Sequence, residues 1–188
     1  MTMDIKKRTI SIARNALPVL ALAIGLNAAT SAAQEVSLPG GANSLQEVHG
    51  DWVVTCAISG EGAQAAKSCS MSQEQQDGNS RQRIIAVEIQ PSPEGDRATL
   101  VLPFGLSLAA GAKLQIDDGA PGQALSFRTC LPGGCIISTT FDEEMREALR
   151  SGAELKVHAT ADGGRETVFA ISLRGFGGAL NRTAELAG

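Results

Sequence analysis

Along much of this 188-residue chain, apolar and polar residues alternate with a period of two, the pattern of strands that have one dry and one wet face. Trp52, Val54 and Cys56 alternate with Val53 and Thr55. Ile85, Val87 and Ile89 alternate with Ile84, Ala86 and Glu88, and Leu125, Phe127 and Thr129 with Ser126 and Arg128. The alternation is strictest in "ELKVHA", where Leu155, Val157 and Ala159 form one face and Glu154, Lys156 and His158 the other. "TVFAISL", residues 167 to 173, is apolar on nearly every position and suits an interior strand. Turn signals separate these runs: "SPEGD", "DDGAPG", "LPGG" and "DGG". Seven or more short strands with this punctuation predict a mainly β fold, an antiparallel β-sandwich or a partly closed barrel.

One segment changes period. In "TTFDEEMREALRSG", Phe141, Met145, Ala148 and Leu149 fall on one helical stripe. Thr140 and Glu143 have capping-box spacing, Asp142 is placed to pair with Arg146, and Gly152 follows the last turn. A helix is therefore expected near 141–151. "GFGGALNRTAEL" allows a second, short C-terminal helix, weakened by Gly177 and Gly178 at about 1 kcal/mol each relative to Ala.

The first 33 residues follow another rule. Lys6, Lys7, Arg8 and Arg14 precede an apolar run from Ala16 to Leu26, and small residues end at Ala33. That is the three-part pattern of a cleavable signal peptide, and its apolar run falls short of the roughly 20 residues a membrane span needs. Residues 34 to 47, with Pro39, Gly40 and Gly41, read as a flexible leader, and residues 48 to 188 as a single β-rich domain. No transmembrane span is expected after cleavage. The mature chain would be periplasmic, secreted or associated with the outer surface.

Cleavage would remove four basic residues and one acid, Asp4, taking the formal charge from −4 to −7. An acidic domain without a basic stripe has no electrostatic attraction for nucleic acid or an anionic membrane. One Trp, five Phe and no Tyr also leave little aromatic surface for stacking sugars or bases.

All four cysteines, Cys56, Cys69, Cys130 and Cys135, follow the signal segment. An even number in an exported chain implies two disulfides, for which three pairings exist. Proximity along the chain favours Cys56 with Cys69 and Cys130 with Cys135. The spacings, Cys-x12-Cys and Cys-x4-Cys, match neither a zinc knuckle nor the Cys-x-x-Cys of thiol oxidoreductases. "FRTCLPGGCIIS" then reads as a clamped hairpin, with Pro132 presetting one turn dihedral and Gly133 and Gly134 free to take positive φ.

Catalytic constellations are sparse. The two histidines, His49 and His158, sit on or beside strands, and no Gly-x-Ser-x-Gly elbow aims a serine at either. An acid/base site would have to be built by folding Asp117 or Asp118 against His49 or His158. Asp117 and Asp118 lack the alternating oxygen ligands of a calcium loop and read as a turn. No cofactor, metal or catalytic residue is implied.

Five segments, "HGDWVVTCA", "CSMSQEQ", "LVLPFGLSLAAGAKLQIDDG", "FRTCLPGGC" and "ISLRGFGGAL", in this order, resemble the invasion-associated locus B family of exported bacterial proteins. The resemblance spans His49 to Leu180. It implies a non-catalytic exported interaction protein that aids host-cell attachment or entry where the source is a pathogen, and it carries over no catalytic residues. The implied partner is a protein or an envelope or host-surface component. A periplasmic small-ligand carrier, with an apolar space behind its aliphatic sheet face, is the alternative; an enzyme with the acid/base site above comes third.

Overall fold

The computed structural model describes residues 36 to 188, so the segment read as a signal peptide lies outside the described residues. Among the described residues, ten strands pair antiparallel throughout and form two sheets. The larger sheet contains β1 (Ser44–His49), β2 (Trp52–Ser59), β3 (Ala66–Gln76), β4 (Arg83–Gln90) and β5 (Asp96–Leu102) as a meander. β8 (Gly134–Phe141) then pairs with β5, and β7 (Thr129–Leu131) closes the row. The smaller sheet has β9 (Glu154–Thr160) between β10 (Glu166–Ser172) and β6 (Ala112–Ile116). Two helices complete the domain, α1 (Glu143–Ser151) and α2 (Phe176–Ala187).

The larger sheet ends in two edges, β1 and β7, so the strands build a sandwich and not a closed barrel. The period-two pattern explains its two faces. Val54, Met71, Ile89 and Ala98 occupy successive register positions and are buried, whereas Val53, Ser72, Glu88, Thr99 and Ser138 make an outward row that is largely polar. The inward face shares one hydrophobic core with Leu155, Val157, Phe169 and Ile171 of the smaller sheet. Removing such side chains from water is the main favourable term in folding, about 25 cal/mol per Å² of apolar surface.

α2 packs against β2 and β3. Its buried residues, Phe176, Ala179, Leu180, Thr183 and Leu186, recur at helical spacing, and the Phe176 ring meets Trp52 edge-on at 5.2 Å between centroids. The C-terminal helix is thus a full twelve-residue element, longer than the short one expected. Burial of this apolar face outweighs the unfavourable intrinsic propensity of Gly177 and Gly178.

Five local expectations are corrected. The leader was expected to stay irregular to residue 47, but β1 begins at Ser44 and Leu38 is buried. Glu47 sits on the inward side of β1 and breaks the hydrophobic alternation by which the strand would be recognised. Thr140 does not cap α1, because it still belongs to β8, opposite Arg97; Asp142, the first residue free of that ladder, caps it by accepting from Met145 N–H at 2.9 Å. Arg146 pairs with Asp96 and Glu143 and not with Asp142.

The alternation at 125–129 does not make one strand. Leu125 bridges to Ala112 while Thr129 pairs with Ile136, so the segment passes from one sheet to the other. Finally, β10 is an edge strand, with Val168 exposed, and not an interior one.

Candidate functional site

The acid/base candidates are not assembled into a site. Asp117, with φ of 48°, accepts from the backbone N–H groups of Ala153 (3.0 Å) and Glu154 (2.9 Å), tying the end of β6 to the start of β9. Asp118 pairs with Lys156 at 3.1 Å. Neither aspartate bonds a histidine. The imidazoles meet glutamates instead: His158 Nδ1 lies 2.9 Å from Glu166, and its Nε2 contacts Gln115 Oε1. Both ring nitrogens of His158 are thus engaged by neighbouring side chains. Glu166 is legible once β9 and β10 are read as a hairpin, since its alternate residues then share the outward face with His158.

His49 Nε2 lies 3.3 Å from Glu47, and Glu47 also receives two bonds from Arg182, both at 2.8 Å. That bidentate guanidinium is the main reason the Glu47 carboxyl is pulled down to about 2; His49 adds to it and desolvation opposes it. The arrangement joins β1 to α2. Among the described residues, no group of three or more His, Cys, Asp or Glu side chains is placed to hold a metal ion.

Two of the distinctive segments, around "HGDW" and "ISLRGFGG", form one junction. Asp51 N–H donates to the Arg174 carbonyl at 3.0 Å, and its carboxylate accepts from Ser172 Oγ at 2.6 Å and from the Arg174 guanidinium. These bonds, Arg174 first, hold the Asp51 carboxyl below its ordinary value. The Ser172 carbonyl accepts from both Trp52 Nε1 (3.0 Å) and Gln73 Nε2 (2.9 Å), while Gln73 Oε1 accepts from Ser172 N–H at 3.0 Å. Buried Gln73 thus continues the backbone pairing of β10 with its side-chain amide. This polar cluster is structural in its contacts.

Two further distinctive segments, those containing "LPFGL" and "TCLPGGC", meet at the opposite edge of the larger sheet. Disulfides join Cys56 to Cys69 across β2 and β3 and Cys130 to Cys135 across β7 and β8, with Cα separations of 4.1 and 3.9 Å. All four cysteines are consumed, leaving no thiolate for redox or metal chemistry. In the hairpin, Pro132 and Gly133 form the turn. Gly134, and not Gly133, takes the positive φ (134°), where a Cβ would stand 2.5 Å from the Leu102 carbonyl oxygen.

Leu102 lies opposite Cys135, so "LPFGL" and "TCLPGGC" run side by side. The first then crosses to the smaller sheet, pinned by Ser107 N–H to Thr160 O (2.7 Å) and Asp162 N–H to Gly105 O (2.9 Å). Each segment leaves one large apolar side chain in solvent, Phe104 at 60% exposure and Leu131 at 51%. Arg83, bonded to Glu74 at 2.7 Å and to the Gly133 carbonyl at 3.3 Å, braces the turn beside them. A clamped hairpin and a hydrogen-bonded crossover therefore present two apolar side chains on rigid backbone. The sequence pattern marks both residues as apolar but not as exposed, because Leu131 is turned outward by its pairing with Gly134 and Phe104 stands in the bend where β5 has already ended.

These features define a two-sheet β domain stapled by two disulfides, whose distinctive segments build junctions and an exposed apolar edge. The family model "Invasion associated locus B (IalB) protein" matches residues 52–184, and the chain belongs to that family. It is 43% identical over 152 residues to an invasion protein B homolog of Brucella abortus, covering 80% of this chain and 85% of that one. It is 33% identical over 155 residues to invasion protein B of Bartonella bacilliformis, covering 80% of each. The crystal structure of invasion associated protein b from Bartonella henselae superposes with a TM-score of 0.67 at 29% identity, covering 76% of this chain and 96% of that one. Among the described residues, no helix is long and apolar enough to cross a membrane.

Proposed function

We propose that this chain is a non-catalytic exported interaction protein, acting in the periplasm or at the outer surface, that uses the Phe104 and Leu131 edge to contact a protein or surface partner. The observation that carries this reading is the exposure of those two side chains on rigid, adjoining segments. Preorganised apolar anchors with little conformational entropy left to lose are what interface hot spots require. Export is supported by the basic and apolar leader pattern and by two disulfides, which form in oxidising compartments. A role in host-cell attachment or entry is supported by the names of the Bartonella and Brucella relatives.

The test is binding of fluorescently labelled protein to intact host cells and to envelope fractions, comparing wild type with Phe104→Ser/Leu131→Ser. Saturable binding that weakens at least tenfold in the double variant, with unchanged melting temperature, is expected. Binding that is absent, or that ignores both substitutions, would overturn the reading.

A further inference from the structure

A groove of about 550 Å³ runs between α1, α2 and the loop joining β4 to β5, away from the Phe104 edge. Its size lies within the range of small-ligand sites. Leu180, Ala184 and Ala187 form its α2 wall, and because two of these side chains end at Cβ the helix surface is recessed there. Pro91 and Pro93 supply the facing loop wall without side-chain donors or backbone N–H groups of their own. The body of the groove is therefore apolar.

Positive charge in the lining comes from α1 alone. Arg146 and Arg150, one turn apart, line the groove with Asp96. Arg146 is committed: it gives two bonds to buried Asp96, at 2.8 and 2.9 Å, and a third to Glu143. Arg150 is not. One firm bond runs from its Nη2 to Asn181 Oδ1 at 2.7 Å; its contact to the Gly177 carbonyl is 3.5 Å, and its nearest carboxylate, solvent-exposed Glu147, is 3.6 Å away. A guanidinium has five N–H donors in a planar fork, so Arg150 keeps spare donors at the edge of an apolar channel. The one carboxylate side chain in the lining, Asp96, is already spent on Arg146.

We infer that this groove binds a single-chain carboxylate amphiphile, the tail lying along Leu180, Ala184 and the two prolines and the carboxylate bonded to Arg150. One cation with spare donors beside an apolar channel complements a monoanionic head and an unbranched tail, and a neutral alcohol head would offer those donors one uncharged oxygen in place of two charged ones. The inference stands apart from the proposed protein contact, because it uses different residues.

The experiment is a titration of the disulfide-intact protein with sodium decanoate, followed by amide NMR shifts and by calorimetry, with decanol as the neutral probe. Saturable one-to-one binding is expected, with shifts concentrated at residues 91–95, 146–150 and 180–187. Decanol should bind at least tenfold more weakly. Arg150→Gln should weaken decanoate at least fivefold while leaving decanol unchanged, and Arg150→Lys should restore part of the loss. Ala184→Phe, which fills the channel, should weaken both probes; Ala187→Phe replaces it if that variant does not fold. The inference is overturned if decanoate shows no saturable binding, if its shifts lie elsewhere, or if decanol and Arg150→Gln behave as decanoate and wild type do.

Discussion

Gly50 and Gly175 lie back to back, each in a positive-φ conformation (63° and 88°), and a Cβ built on either would collide with the backbone on the other side. They form the point where the turn between β1 and β2 touches the entry to α2. Asp51 and Arg174 close the same contact by a backbone bond and an ion pair. Gly175→Ala combines left-handed strain with a backbone clash and should cost about 3 kcal/mol. Gly178→Ala is the control. It lies inside α2, with His49 Nδ1 as its nearest neighbour at 3.7 Å, and should be neutral or stabilising by up to about 1 kcal/mol. Urea denaturation of the two variants measures the difference, and equal costs would show that the crossing is not tight.

That junction also marks where the sequence is readable and where it is not. β2, β4 and β9 announce themselves by alternation because each has one face in the core and one in water. β1 does not, since Glu47 takes an inward position, and the strand becomes intelligible only when Arg182, 135 residues away, is placed beside it. β10 reads as interior because both its faces are apolar, yet Val168 is left in solvent at the sheet edge. The same limit applies to the candidate site. Composition places Phe104 and Leu131 in recognisable segments, but only the pairing of Leu102 with Cys135 brings those segments together; the pairing of Leu131 with Gly134 turns Leu131 outward, and the end of β5 at Leu102 leaves Phe104 in an exposed bend.

Glu47 makes a prediction about acid stability. Its carboxyl is lowered from 4.5 to about 2, chiefly by Arg182, so the native state favours the ionised form more than the unfolded chain does. A depressed carboxyl contributes stability that is fully present above its unfolded value and is lost as pH falls toward its folded value. The melting-temperature gap between wild type and Glu47→Gln should therefore be widest above about pH 5 and close between 4.5 and about 2. The pair is partly exposed and faces His49 and Glu185, so the gap should also narrow with added salt. A gap that stayed constant down to pH 2 would mean that Arg182 does not hold the ionised form.

The two disulfides should differ in what their loss costs. By loop length alone, the ring closed by Cys130 and Cys135, five residues apart, contributes about 2 kcal/mol, and that closed by Cys56 and Cys69, thirteen apart, about 3 kcal/mol. Packing widens the difference. Cys56 and Cys69 both lie in the hydrophobic core, whereas Cys130 is only half-buried at the edge strand. Cys56→Ala/Cys69→Ala therefore also loses buried sulfur contacts and leaves a cavity, for a total above about 4 kcal/mol, while Cys130→Ala/Cys135→Ala should stay near 2 kcal/mol. Denaturant midpoints compare the two, and mass spectrometry after alkylation checks the premise. No cysteine of the native oxidised protein should take up label, and rapid labelling at Cys130 or Cys135 would show that the hairpin clamp is open in solution.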